Sequence, residues 1–221
     1  MKRWAPTAIV VAVLAATAVA FATTERQKLE KTPFAVLHVE RAFSPKHGAA
    51  TIDLSFQRAH LVTVQIINAS GRAVATLAKE RRVKRGHVQF QWRGQRVADG
   101  LYQPQVTLDD GRRFTLPTQI RVDSVVPRIA LVAYRPHILR RRDKPEVRIA
   151  YRVSEPAHAI VFLGRRRCAL SFAKSLQAAL NCPLKRSGHR LRPGRYRLQL
   201  SAIDLAGNVG ARTHVFVVRV R

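Results

Sequence analysis

Cys168 and Cys182 are the two cysteines of this 221-residue chain. In an oxidising compartment an even pair is most simply a disulfide, and a loop that short contributes about 3 kcal/mol when unstrained. Carboxylates are scarce, 13 in all, so acid–base chemistry has few places to sit. Asp109 and Asp110 are adjacent and precede Gly111, where aspartates serve a turn by bonding the backbone two residues on. Asp204 and Asn208 offer oxygens that suit Ca²⁺, but a turn capped by its own side chains uses the same residues and is the preferred reading. The eight histidines, from His38 to His214, contain no His-x-x-x-His pair, and no Cys-x-x-Cys accompanies them, so no metal ligand set is expected. No Gly-x-Ser-x-Gly elbow marks a nucleophile, and Gly207 and Gly210 lie between strands rather than ahead of a phosphate-binding helix. The expectation is a protein without catalytic residues, cofactor or metal.

The side chains that could do something else are cationic. Forty Lys+Arg against 13 Asp+Glu give a net charge of +27. Such an excess favours anionic partners. The clusters are Arg81, Arg82, Lys84 and Arg85; Arg140, Arg141 and Arg142 with Lys144; Arg165, Arg166 and Arg167; and Lys185, Arg186, Arg190, Arg192, Arg195 and Arg197. All fall in expected loops or strand edges. Charge there protects an edge strand from aggregation, and the same residues make polyanion-binding patches. Nucleic-acid binding would add exposed aromatics for stacking, whereas Trp92, Phe90 and Phe162 are assigned to cores, so nucleic acid is not the expected partner.

The elements that must carry these residues start with an uncharged run, Trp4 to Ala22, behind Met1, Lys2 and Arg3. As a helix it spans roughly 28 Å, close to the hydrocarbon thickness of a bilayer. Ala18-Val19-Ala20 and Ala20-Phe21-Ala22 also satisfy the small-x-small rule of a cleaved signal peptide. Both readings stand. The retained anchor is favoured because Trp4 sits where an interfacial aromatic belongs. Residues 1–27 are therefore expected to place the chain at the cell membrane as a single-pass protein with its bulk extracytoplasmic, or, if cleaved, to secrete it.

Beyond that segment the hydrophobic period is two. Ile52, Leu54 and Phe56 alternate with small or polar residues, as do Val62, Val64 and Ile66, and Val88, Phe90 and Trp92. Each run fits a half-buried strand. Asn68-Ala69-Ser70-Gly71 supplies hairpin chemistry, Arg81 to Gly86 reads as a basic turn, and further strands are expected at Leu101 to Leu108 and Arg112 to Val122. Asp123-Ser124-Val125-Val126-Pro127 reads as a linker, because a proline disfavours helix before it and the pattern restarts at Ile129. The expected strands of the second unit are Ile129 to Tyr134, Glu146 to Val153, Ala159 to Leu163, Tyr196 to Ile203 and Thr213 to Val220. Ala169 to Leu180 is expected to hold a helical turn inside an irregular insertion stapled by the cysteines. Short, evenly spaced strands indicate an all-β protein with two tandem immunoglobulin-like β-sandwiches, over 28–122 and 123–221.

Phe43-Ser44-Pro45, Val64 to Gly71 with Arg72 and Val74, Gly86 before Val88 to Gly94, and Asp99-Gly100-Leu101-Tyr102 recur at mutually consistent distances. In this pattern the first unit resembles the FlgD-type immunoglobulin-like domain of the flagellar hook-capping protein and of secreted or surface bacterial proteins. Arg93 and a short 93–98 stretch replace that family's longer acidic loop, which argues against ion binding there. The second unit is similar to a bacterial Ig-like repeat through Asp123 to Pro127 and Asp204-Leu205-Ala206-Gly207-Asn208. The resemblance implies a sandwich fold and a spacer, adhesion or assembly role with no enzymatic activity; the cationic excess, independently, makes anionic cell-wall polymers or another envelope protein the expected partner.

Overall fold

The computed structural model describes residues 33–140, 142–184 and 192–221. The N-terminal segment 1–27, Arg141, Lys185, Arg186 and Arg190 lie outside the described residues. Among the described residues every regular element is a strand, and no helix is long and apolar enough to cross a membrane.

The first sandwich comprises β1 (Phe34–Val39), β2 (Ala42–Phe43), β3 (Ala50–Phe56), β4 (His60–Ile67), β5 (Ala73–Val83), β6 (Gly86–Trp92), β7 (Gly100–Leu108), β8 (Arg113–Thr115) and β9 (Ile120–Val122). Its smaller sheet runs β1-β3-β6 and its larger β2-β9-β7-β4-β5, with β8 also on β7. The period-two pattern decides which side chains enter. Ala50, Ile52, Leu54 and Phe56 from β3 meet Val62, Val64 and Ile66 from β4, all at most 1% exposed. Each such large side chain contributes about 1.5–3 kcal/mol on burial. Trp92 fills the end nearer the second sandwich, edge-on to Phe43 at 5.3 Å and Tyr102 at 5.2 Å. Gly94 follows it at φ +61°, where an added Cβ would lie 2.7 Å from the Phe43 ring. Glycine is required there both for its backbone angle and for space.

The second sandwich comprises β10 (Ile129–Arg135), β11 (Ile138–Leu139), β12 (Glu146–Val153), β13 (Ala157–Leu163), β14 (Arg166–Ala173), β15 (Gln177–Pro183), β16 (Gly194–Asp204) and β17 (Phe216–Val220). Its sheets are β10-β12-β15 and β11-β17-β16-β13-β14. The wiring repeats that of the first. In both, a long first strand edges the smaller sheet, then a two-residue strand crosses to pair in parallel with the last strand: Phe43 opposite Val122, and Leu139 opposite Val220. In both, a tyrosine two residues after a glycine closes back on the carbonyl four residues upstream: Tyr102 Oη donates to Ala98 O at 2.8 Å and Tyr196 Oη to Arg192 O at 2.9 Å. Such a corner pins the loop ahead of the strand to the sheet.

Two local expectations are corrected. Ala169 to Leu180 holds no helical turn: it is strand β14, a short bend, and strand β15. Its Ala, Leu, Lys and Gln are good helix formers, but β15 pairs residue for residue with β12, Leu180 opposite Ile149 and Cys182 opposite Val147. Partner strands override intrinsic preference here. The Cys168–Cys182 bridge, with Cα atoms 5.6 Å apart, therefore joins the edge of the larger sheet to the edge of the smaller rather than stapling an irregular loop. The basic turn at Arg81 is also shorter than expected. Arg81, Arg82 and Val83 continue β5, with Val83 3% exposed in the core, which leaves Lys84 and Arg85 to make the turn.

Candidate functional site

The strand registers place the arginine clusters. Leu163 lies opposite Arg166 on one side and Leu198 on the other, and the Gly164 N–H donates to Arg197 O at 3.0 Å. Arg165, Arg166 and Arg167 are thus beside Arg197. Arg195 stands directly opposite Arg219, and the Arg221 N–H donates to Leu139 O at 2.9 Å, next to Arg140. Arg140 and Arg142, Arg165 to Arg167, and Arg195 and Arg197 accordingly meet at one end of the second sandwich, the end away from the linker. All are exposed except Arg166, which is half-buried. The acids at this end are engaged: Asp143 Oδ2 accepts the Arg140 N–H at 2.7 Å, and Glu146 pairs with Lys144 at 3.0 Å. Like charges facing each other across a sheet repel, so the Arg195–Arg219 pair is a spot that an anion would relieve.

Arg81, Arg82, Lys84 and Arg85 do not join this pole. They are exposed at the end of the first sandwich where Phe34 begins, since Val83 lies opposite His60 and Gly86 opposite Phe56. Phe162 is a further correction. It is not a core residue: Ala157, Ala159 and Val161 take the inner face of β13, and Phe162 points outward, half-buried, with the Arg212 guanidinium 3.8 Å from its ring centroid. At that distance the cation–π contact both holds Arg212 and keeps an aromatic on the outer face.

A second constellation lies where the sandwiches join. The linker residue Asp123 is tied to the first sandwich, its N–H donating to Phe43 O at 3.1 Å. From the second, Asp204 at the end of β16 and Glu155 between β12 and β13 bring their carboxylates to it, with oxygens of all three within 4.8 Å of one another. Asn208 locks the turn: its N–H donates to Asp204 Oδ1 at 2.8 Å, and its Nδ2 to Asp204 Oδ2 at 2.8 Å and Asp123 O at 2.9 Å. The turn also reaches the first sandwich directly, as the Ser44 N–H donates to Ala206 O at 3.0 Å. Burial, then the charges of Asp123 and Asp204, push the Glu155 carboxyl above its ordinary value. Beside the cluster a cleft of about 780 Å³ is lined by residues including Asp99, Arg121, Val126 and Glu155.

This geometry is that of two β-sandwiches in tandem with the same wiring. Solved structures similar to it include the Clostridium thermocellum CbhA fibronectin(III)-like modules, 13% identical with a TM-score of 0.46 over 85% of this chain and 94% of that one. The human OSCAR ligand-binding domain is 10% identical with a TM-score of 0.38, over 84% and 96%. A tetra-tandem repeat from the extending region of a large adhesion protein is 11% identical with a TM-score of 0.34; the alignment covers 84% of this chain and 48% of that one. No family model matches the chain, and no curated protein matches it in sequence.

The remaining sites read from sequence fall as turns. Asp110 accepts the Arg112 N–H at 3.0 Å and pairs with its guanidinium at 2.8 Å. Asp109 accepts from His60 Nδ1 at 3.0 Å, which, followed by partial offset from burial, lowers its carboxyl below the ordinary range. In the sequence Asp123 and the Asp204 turn read as separate marks of a repeat, Asp204 with Asn208 reads as a self-capped turn in preference to a Ca²⁺ ligand pair, and Glu155 carries no signal of its own. No local signal separates this trio, since Asp99, Asp109 and Asp110 also lie in links between strands with no basic residue directly beside them.

Proposed function

We propose that the chain is a non-catalytic structural or interaction module of the cell envelope, tethered outside the cytoplasm by its N-terminal segment and binding anionic polymers through the arginine pole. The observation that carries this reading is the convergence of Arg140, Arg142, Arg165, Arg167, Arg195, Arg197 and Arg219 at the end of the second sandwich away from the linker. Clusters far apart in sequence become one surface, and such a surface gathers polyanions by long-range attraction. The first sandwich presents Arg81 to Arg85 at its opposite end, the side from which the N-terminal segment enters. In a tethered chain that turn faces lipid headgroups, while the arginine pole faces the wall. The FlgD-type resemblance of the first sandwich supports an assembly or spacer role within this reading.

The test is sedimentation of the full chain with purified anionic wall polymer across a salt series. Binding is expected to weaken steeply as salt rises, as exposed charges demand, and Arg195→Glu/Arg219→Glu is expected to weaken it at least tenfold at low salt. Binding that ignores both salt and these charges would replace this reading with an apolar interface. The second reading, a cleaved and secreted adhesion or carbohydrate-associated module, rests on Ala20-Phe21-Ala22. Intact mass of the native protein separates the two: full length in the membrane for the anchor, loss of about twenty-two residues outside it for the cleaved form.

A further inference from the structure

The outer face of the larger sheet in the second sandwich does not follow from the wiring. The centre of the corresponding face in the first sandwich is polar and neutral, with Thr63 opposite Thr107 and Gln65 opposite Gln105. In the second, Ala157, Ala159, Val161 and Ala173 take the inward positions of β13 and β14. Alternation therefore turns His158, Ile160, Phe162, Leu170 and Phe172 outward. Leu170 is 51% exposed and Phe172 38%. Ile160 is buried yet stands outside the core cluster, opposite Leu170 on the outer face. Exposed apolar side chains gathered on one face mark a surface made for contact.

Strand register orders this face. At the linker end Phe172 lies opposite His158, their rings 4.9 Å apart, and His158 lies opposite Ile203. Nearer the pole, Arg167, Phe162 and Gln199 form one row. Beyond them Arg197 lies opposite Val217, and Arg195 opposite Arg219. From Ile203 to Arg195 the strand runs about 27 Å at about 3.4 Å per residue. Over that length the face grades from aromatic and aliphatic to cationic, and none of these positions carries an acid. Arg212 adds an independent mark, its guanidinium 3.8 Å from the Phe162 ring centroid. An arginine already held on an aromatic ring gives up little freedom when it meets an anion.

We propose that this face is a track for an acidic polysaccharide, a chain of pyranose rings bearing carboxylates. The proposal rests on the polyanion reading of the arginine pole and names the class of its ligand. A polymer offering charge alone would use the arginines and leave Phe172, Leu170 and Phe162 against water. An acidic sugar offers both surfaces. Its ring has an apolar C–H face that stacks on an aromatic side chain, and its carboxylate stands at the ring edge, where Arg167 and Arg212 carry forked N–H donors that match a carboxylate. A chain lying along β13 and β16 sets sugar rings beside Phe172 and His158 and again beside Phe162 and Arg212. Its further carboxylates then run onto Arg197, Arg195 and Arg219.

The full chain is titrated with polygalacturonate, a carboxylated sugar polymer, and with polyglutamate of matched charge and length, which carries carboxylates without sugar rings. At about 0.15 M NaCl, where the Debye length is about 8 Å, polygalacturonate is expected to bind roughly tenfold more tightly than polyglutamate. Phe162→Leu and Phe172→Ser remove no charge. Each is expected to weaken polygalacturonate binding roughly fivefold while leaving its salt dependence as in the parent. Phe172→Ser is also expected to leave polyglutamate binding and the melting temperature unchanged, which keeps the test sound if Phe162→Leu loosens β13. Equal binding of the two polymers, or polygalacturonate affinity unchanged in both variants, would overturn the proposal and leave the arginine pole standing as a polyanion site. Binding of neither polymer at low salt would overturn the pole reading and this proposal together.

Discussion

In the first sandwich the gap between sheets is closed by aromatics, Trp92 wedged between Phe43 and Tyr102, and Phe34 against Phe56 at 5.4 Å. In the second the same gap holds mostly aliphatics, with Tyr151 and Phe216, and the Cys168–Cys182 bridge crosses it at one edge. The outer faces of the larger sheets differ too. In the first, Gln65 reaches Thr76 at 3.4 Å and Gln105 reaches Thr115 at 3.2 Å, a neutral ladder that satisfies itself. In the second, the matching face carries Arg195, Arg197 and Arg219 beside Phe162 and Arg212. One wiring thus supports two ways of holding sheets together and two kinds of surface. Wiring is set by alternation and crossovers, whereas the filling between sheets and the outward side chains vary freely around it.

The sharpest way to break this comparison is Trp92→Ala. Removing a side chain 3% exposed from an aromatic cluster is expected to cost the first sandwich about 3–5 kcal/mol, read as faster hydrogen exchange throughout β3, β4 and β6. The second sandwich should keep its protection, and equal loss in both would show that they unfold as one unit.

Reductant provides the converse. Opening the 14-residue separation between Cys168 and Cys182 is expected to cost the second sandwich about 3 kcal/mol, with exchange in the first unchanged. An unchanged melting profile in reductant would mean that the aliphatic core alone holds those sheets.

The smallest effect separates the two by acid. His60 lowers the Asp109 carboxyl, so folded protein binds that proton less tightly than unfolded chain does. The stability so gained is present above the ordinary value of 3.8 and is lost as pH falls through the lowered one. Asp109→Asn is expected to flatten this part of the acid dependence of the first sandwich and leave that of the second as it was. A parallel change in both would assign the acid sensitivity to some other group.

Strands were legible wherever one face is buried and the other wet. Ile52, Leu54 and Phe56, or Val62, Val64 and Ile66, announce their inner face through alternation alone. Cys168 and Cys182 announced a bridge by being an even pair. The stretch 169–180 was not legible, because its composition favours helix and only the neighbouring β12 settles it as strand. Phe162 misled for a related reason: an aromatic in an apolar run is buried or exposed according to register, and the register of β13 is set by β14 and β16.

What the sequence by itself determined is local: period, turn chemistry, the cationic excess and the few acids that offset it. The tertiary structure decided adjacency. It drew Arg140, Arg165 and Arg219 to one pole and Asp123, Glu155 and Asp204 to one junction, because residues distant along the chain meet only through strand pairing and the docking of one sandwich on the next, which no local pattern encodes.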